Sequence, residues 1–134
     1  MLTYSEFIYS LPERYPVIRR STLILYTVGA RHGKLTGKLE FKGDVVLTAS
    51  EIVNFDDGCI ETYAYSVRRG ENILYWYDSQ AHPGDLTLAS THPHHKHVPP
   101  NIKRRRIPAP ALRFNQPNLP FLVEEVQREV LEET

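Results

Sequence analysis

Residues 44–68 read DVVLTASEIVNFDDGCIETYAYSVR, and the alternation within them decides the fold. Val45, Leu47, Val53 and Phe55 fall on one side of an extended chain. After Asp56-Asp57-Gly58, the row Glu61, Tyr63, Tyr65, Val67 opposes Ile60, Thr62, Ala64, Ser66. A period of two is the mark of a strand with one buried face, and a break this short leaves room only for an antiparallel hairpin.

The same period runs outward from Ser21 to Asp78. Five strands are expected: Ser21–Val28, Lys34–Lys42, Asp44–Phe55, Cys59–Arg68 and Ile73–Asp78. Turns at Gly29–Gly33, around Gly43, at Asp56-Asp57-Gly58 and at Arg69-Gly70-Glu71-Asn72 join them into a meander. Leu35, Leu39 and Phe41 share one side of the second strand, and Ile73, Tyr75 and Tyr77 oppose Leu74 and Trp76 in the fifth. Four tyrosines, at 63, 65, 75 and 77, then share a face, either as a cross-strand ladder or as a platform on which bases stack. Glu51 stands in the apolar row of the third strand, where a carboxylate lies near a rim, is paired, or is catalytic.

The flanks are helical. Thr3-Tyr4-Ser5-Glu6 has capping-box spacing, with Phe7, Ile8 and Leu11 as an apolar stripe and Pro12 expected to end or kink the helix. Near the other end Asn118 is expected to cap a helix with Pro120 in its first turn, and Leu119, Leu122, Val123, Val126 and Val130 form its buried stripe. Its glutamates read as solvated. Between sheet and helix, residues 79–117 hold seven prolines with apolar anchors at Val98, Ile102, Ile107, Leu112 and Phe114. We expect a proline-stiffened loop lying on the sheet, with room for one short strand around Arg113. The fold class is therefore α+β: an antiparallel five- or six-stranded curved meander sheet, a short N-terminal helical segment (1–18) and a C-terminal helix (118–133) packed on it, in one domain spanning 1–134.

Composition narrows the setting. The single cysteine, Cys59, cannot form an intrachain bridge, no apolar stretch reaches bilayer length, and MLTYSEFIYSLPERYP has no basic region followed by an apolar run. A soluble, cytoplasmic protein is expected. The formal net charge of zero hides a division: residues 79–123 carry 6 Lys/Arg against 1 Asp/Glu, whereas residues 124–134 carry 1 against 5 and residues 1–78 carry 9 against 10. A basic middle segment implies an anionic partner, of which nucleic acid is the commonest.

That segment also holds His82, His92, His94, His95 and His97, five of the six histidines. Three chemistries fit. Metal binding is one, because His92-Pro93-His94-His95-Lys96-His97 resembles the HxHxDH motif of metallo-β-lactamase-like hydrolases. Lys96, however, stands where that motif needs a carboxylate, so no metal and no other cofactor are expected. Metal-independent RNA cleavage is the second. It needs a base for the ribose 2′-hydroxyl, an acid for the departing 5′-oxygen and cations for the phosphate. His82, His95 and His97 supply proton transfer, Lys96, Lys103, Arg104, Arg105 and Arg106 hold phosphate, and Tyr75 and Tyr77 stack a base. The third is a non-catalytic surface that binds nucleic acid or a partner protein through the same basic loop.

Tyr63-Ala64-Tyr65 on one strand, Tyr77-Asp78 ending the next, His82-Pro83 shortly after, and Thr91-His92-Pro93-His94-His95-Lys96-His97-Val98 together resemble the TumE-like toxins of toxin–antitoxin modules. The resemblance implies a small growth-inhibiting toxin acting through RNA, paired with a helix-turn-helix antitoxin. It points to Tyr77, Asp78, His82, Pro83, His94, His95, Lys96 and His97. Two departures stand out: Ser79-Gln80-Ala81 leads to a single His82 where the family pattern has a proline and two adjacent histidines, and Trp76 replaces a basic residue.

Overall fold

The computed structural model describes residues 3–80, 87, 93–102 and 104–131. Helix α1, Tyr4–Arg14, begins with the expected capping box: the Thr3 hydroxyl accepts from the Glu6 amide while Glu6 accepts from the Thr3 amide. Ile8 and Leu11 are fully buried on its inner side. The helix runs through Pro12 rather than ending there, because that proline lies only two residues from the last one and the ladder is lost anyway at the helix end.

The strands among the described residues belong to one antiparallel sheet. They are β1 (Arg20–Ser21), β2 (Ile24–Val28), β3 (His32–Glu40), β4 (Val45–Asn54), β5 (Cys59–Arg69), β6 (Asn72–Asp78), β7 (His95–His97) and β8 (Arg106–Pro108). The order is β1-β3-β4-β5-β6-β7-β8, with β2 also pairing β3. The α+β class is thus the expected one, and the sheet is longer than the meander alone. The strand expected over 21–28 is split in two at Thr22-Leu23, where the Thr22 hydroxyl accepts from the Lys38 amide in place of a ladder bond. Gly37 allows that close passage, since a Cβ on it would lie 2.5 Å from the Thr22 carbonyl oxygen.

The core face carries the apolar row foreseen from the alternation. Leu35, Leu39 and Leu47 are fully buried, and burial of each such side chain is worth roughly 1.5–3 kcal/mol. Phe55 leaves the row, because it lies in the β4–β5 turn with its ring over Gly33. Helix α2 (Leu119–Glu125) continues into a wider π-helical stretch over Val126–Leu131, and its expected stripe is buried at every position. Both helices pack on this face. Glu51 is buried there too, accepting from the Tyr4 hydroxyl on α1 and the Tyr65 hydroxyl on β5, so it ties helix to sheet.

The described part of 79–117 is more regular than a loop: β7 and β8 extend the sheet at the edge next to β6. Three-residue strands carry too little periodicity to be visible in sequence; their pairing with an existing edge makes them. Arg113 is in no strand, and its amide instead donates to the Asn118 side chain at 2.9 Å. Asn118 caps α2 by position only: its amide group donates to the Tyr65 hydroxyl and the Arg113 carbonyl, locking the preceding turn to the sheet.

Candidate active site

Strand pairing assembles the site. On β6 and β7, Trp76 lies opposite His97, Tyr77 opposite Lys96 and Asp78 opposite His95; on β7 and β8, His97 lies opposite Arg106. Residues directly opposite share a face, and successive residues alternate. Trp76, Asp78, His95, His97 and Arg106 therefore gather on the face away from the helices, while Tyr75, Tyr77 and Lys96 point to the core. The same outer face holds small side chains across the neighbouring strands. Thr48, Ser50, Ala64 and Ser66, with Trp76 and Asp78, line a shallow groove of about 220 Å³ that ends at the cluster.

Within the cluster three acceptors converge. The Nε2 atoms of His95 and His97 are 3.1 Å apart, Asp78 Oδ1 lies 2.8 Å from His95 Nε2, and Asp78 Oδ2 lies 3.4 Å from His97 Nε2. The other ring nitrogen of each histidine donates to a backbone carbonyl: His95 Nδ1 to Pro93 at 3.1 Å, His97 Nδ1 to Ile102 at 2.8 Å. A carbonyl has no proton to give, so both Nδ1 atoms carry hydrogen and both Nε2 lone pairs aim inward. Two lone pairs and a carboxylate cannot share that space without a positive charge between them. A proton on His95 Nε2, donated to Asp78, supplies one. The imidazoles themselves are buried, His95 at 1% and His97 at 6% exposure, and Asp78 provides the accessible edge at 23%. The Trp76 ring lies over His97, with centroids 4.3 Å apart.

The titration shifts follow from this arrangement. Burial works against the charge of Asp78, but the hydrogen bond and charge of His95 outweigh it and hold the carboxyl below its usual range. Burial likewise works against protonated His95, and the Asp78 hydrogen bond, with the Pro93 carbonyl and the carboxylate charge, overcomes it, so His95 is raised. His97 goes the other way: burial dominates, His95 and Arg106 add to it, and the Ile102 carbonyl and Asp78 only partly compensate. Two adjacent imidazoles are thus pushed apart, one toward acid and one toward base.

A family model described as toxin TumE matches residues 8–133, nearly the whole chain. The chain belongs to the TumE toxin family. No curated protein and no solved structure matches it. Membership carries a toxin role and, with it, an antitoxin partner. Among the described residues no helix is long and apolar enough to cross a membrane.

Within this TumE chain, the structure brings the expected His95, His97 and Arg106 together, and Asp78, present in the family motif, joins them. His82, Pro83, His92 and Lys103 lie outside the described residues. Arg104 and Arg105 are exposed on the turn between β7 and β8, where the Arg105 guanidinium donates to the Pro99 carbonyl at 3.1 Å. Three expectations are corrected. Lys96 is not a phosphate cation, because Nζ sits 3.0 Å from Glu125 Oε2 and 4.3 Å from the centre of the Tyr75 ring, on the core side. Tyr75 and Tyr77 are no base platform: both rings are buried, and the Tyr77 hydroxyl donates to Glu125 at 2.7 Å. Instead their rings meet edge to face along β6, 6.1 Å apart, with Tyr77 opposite Tyr65 and Tyr75 opposite Val67 on β5. Glu125 is not solvated but buried as the partner of Tyr77 and Lys96.

Sequence reasoning gave Asp78 no chemical role and passed over the use of Trp76. Asp78 is 17 positions before His95, and only the β6–β7 pairing makes them neighbours. The signal available was the Tyr77-Asp78 dipeptide of the family motif. His94 leaves the cluster altogether, with Nδ1 2.6 Å from the Tyr63 hydroxyl and its ring stacked on Tyr63.

Proposed function

We propose that this TumE-family toxin cleaves RNA at the Asp78–His95–His97–Arg106 cluster and is held in check by a helix-turn-helix antitoxin. The reading is carried by one observation: two imidazoles of opposite protonation bias converge, beside a guanidinium, at the end of an open, shallow groove of mostly small side chains. His97 Nε2 takes the proton from a ribose 2′-hydroxyl, the resulting oxyanion attacks the adjacent phosphorus, and His95 Nε2–H protonates the departing 5′-oxygen. The products are a 2′,3′-cyclic phosphate and a free 5′-hydroxyl. The pair ends with the proton count it began with, and Arg106 offsets charge on the phosphoryl oxygens.

The imidazoles lie side by side, whereas an in-line displacement places its acid and base on opposite sides of the phosphorus. Substrate must therefore part them, entering over the exposed edge of Asp78. Small groove residues let a backbone approach that edge, and Trp76 offers an aromatic ring next to it for a base.

The test is induced expression in a bacterium of the wild type, His97→Ala and Arg106→Gln, with growth followed and total RNA mapped for new ends. Growth arrest with new 5′-hydroxyl ends, both abolished by His97→Ala in a protein that still melts cooperatively, supports the reading. Arrest by wild type with intact RNA would overturn it in favour of a toxin that acts by binding.

A further inference from the structure

Besides holding a shared proton, the three inward-facing atoms have the dimensions of a metal site. We propose that Asp78, His95 and His97 bind one divalent transition-metal ion of the zinc class, and that this ion switches the acid–base pair off. The binding stands on geometry alone; the regulatory consequence rests on the cleavage reading above.

Four features carry it. Asp78, His95 and His97 each offer a ligand atom, and these atoms lie within 4.8 Å of one another. The two Nε2 atoms are 3.1 Å apart, and the carboxylate reaches them through different oxygens, Oδ1 at 2.8 Å from His95 and Oδ2 at 3.4 Å from His97, against about 3.3 Å between ligands of a tetrahedral ion with bonds of roughly 2.0–2.1 Å. The two imidazole nitrogens thus already stand within a few tenths of an ångström of that spacing, and a modest turn of the Asp78 carboxylate would bring one oxygen onto the ion. Both imidazoles already have the right tautomer, since each Nδ1–H is committed to a backbone carbonyl at 3.1 or 2.8 Å. That outer contact is the one by which protein sites orient metal-bound histidines. Two imidazole nitrogens and one carboxylate oxygen suit zinc, cobalt or nickel and suit magnesium or calcium poorly.

Three protein donors leave a fourth position open, as in sites that exchange ligands rather than closed structural ones. Sequence spacing argued against a metal because the histidine block lacks a carboxylate. The sheet supplies one from the neighbouring strand. With the ion bound, both Nε2 lone pairs are occupied, so neither imidazole can accept or deliver a proton, and occupancy and general acid–base cleavage exclude each other.

The experiment titrates zinc alone into chelator-treated full-length protein, followed by calorimetry and by the thermal midpoint. Four variants, His97→Gln, His95→Gln, Asp78→Asn and the double change His82→Gln/His92→Gln, are carried through the same measurements. One ion per chain is expected, with the midpoint raised. Binding should survive the double change, weaken at least tenfold in Asp78→Asn and vanish in His97→Gln and His95→Gln. Should a histidine variant fail to fold, cobalt added to the wild type decides: intense visible bands of a four-coordinate ion are expected, and the weak bands of an octahedral ion would overturn the assignment. Absence of binding, or binding lost only in the His82→Gln/His92→Gln protein, would overturn it as well. In a parallel arm RNA cleavage is measured with and without equimolar zinc. Cleavage stopped by zinc and restored by chelator supports the switch, and cleavage that requires zinc refutes it while leaving the site. If no RNA is cleaved under either condition, the cleavage reading and the switch that rests on it fall together, and the binding arm still decides the site.

Discussion

Replacing Lys96 by methionine separates a sequence-level role from a structural one. The position sits inside the histidine block, yet its ammonium is on the core side, 3.0 Å from Glu125 and over the Tyr75 and Tyr77 rings at 4.3 and 5.2 Å. Methionine keeps most of the apolar stem and removes the charge, which leaves the Glu125 carboxylate buried without its cation. Removing one partner of a buried pair typically costs about 3–5 kcal/mol. Lys96 retains 20% exposure, and Glu125 keeps the Tyr77 hydroxyl at 2.7 Å. The expected loss is therefore smaller, about 2–3 kcal/mol. For a chain of this length that lowers the thermal midpoint by roughly 10 °C. Adding Glu125→Gln removes the orphaned charge and should restore at least half of the loss, so the double-mutant cycle reports a coupling of about 1–2 kcal/mol. The assays are thermal and urea unfolding, with RNA binding and cleavage measured well below the midpoint, where both proteins are folded. Cleavage by folded Lys96→Met should match wild type. A variant as stable as wild type that has lost RNA binding would refute the reasoning, since it would put the ammonium in solvent against phosphate.

Other perturbations test the frame around the site. Burial raises the Glu51 carboxyl, with the Tyr4 and Tyr65 hydroxyls only partly offsetting it. Its protonated form is thus favoured in the fold: the stability it contributes is complete below the unfolded value near 4.5 and is lost as pH rises through the higher folded value. Glu51→Gln, whose amide can donate to one tyrosine oxygen and accept from the other, should gain stability relative to wild type as pH rises above 4.5, read from urea midpoints across pH. A constant difference from acid to neutral pH would disprove it. Gly37→Ala puts a methyl 2.5 Å from the Thr22 carbonyl at a backbone φ of +141°, and should cost about 2–4 kcal/mol. An unchanged urea midpoint would show that the β2–β3 crossing is looser than drawn.

The part of the fold legible in the sequence is the part built from repeated local signals. Alternation from Lys34 to Asp78 named most of the core face, missing Phe55, Ile60 and Ile73 near turns and register shifts, and the Thr3–Glu6 box and the Leu119-to-Val130 stripe placed both helices, because each rests on contacts within a few residues. Strands β7 and β8 were not legible, since three residues have no period of their own and take their conformation from the β6 edge. The Tyr77 and Lys96 side chains were likewise read toward solvent, because nothing local says which face of a strand a helix will later cover.

By itself the sequence determined that this segment carries imidazoles and guanidinium groups, and its family motif tied them to a toxin. Only the tertiary structure decided which of them act together. Pairing in register across β6, β7 and β8 selects alternate residues, sending His95, His97, Arg106 and Asp78 to the face away from the helices and Lys96, Tyr75 and Tyr77 to the core. That selection depends on strand register, a long-range property set by which face the helices bury, and a list of residue types cannot express it.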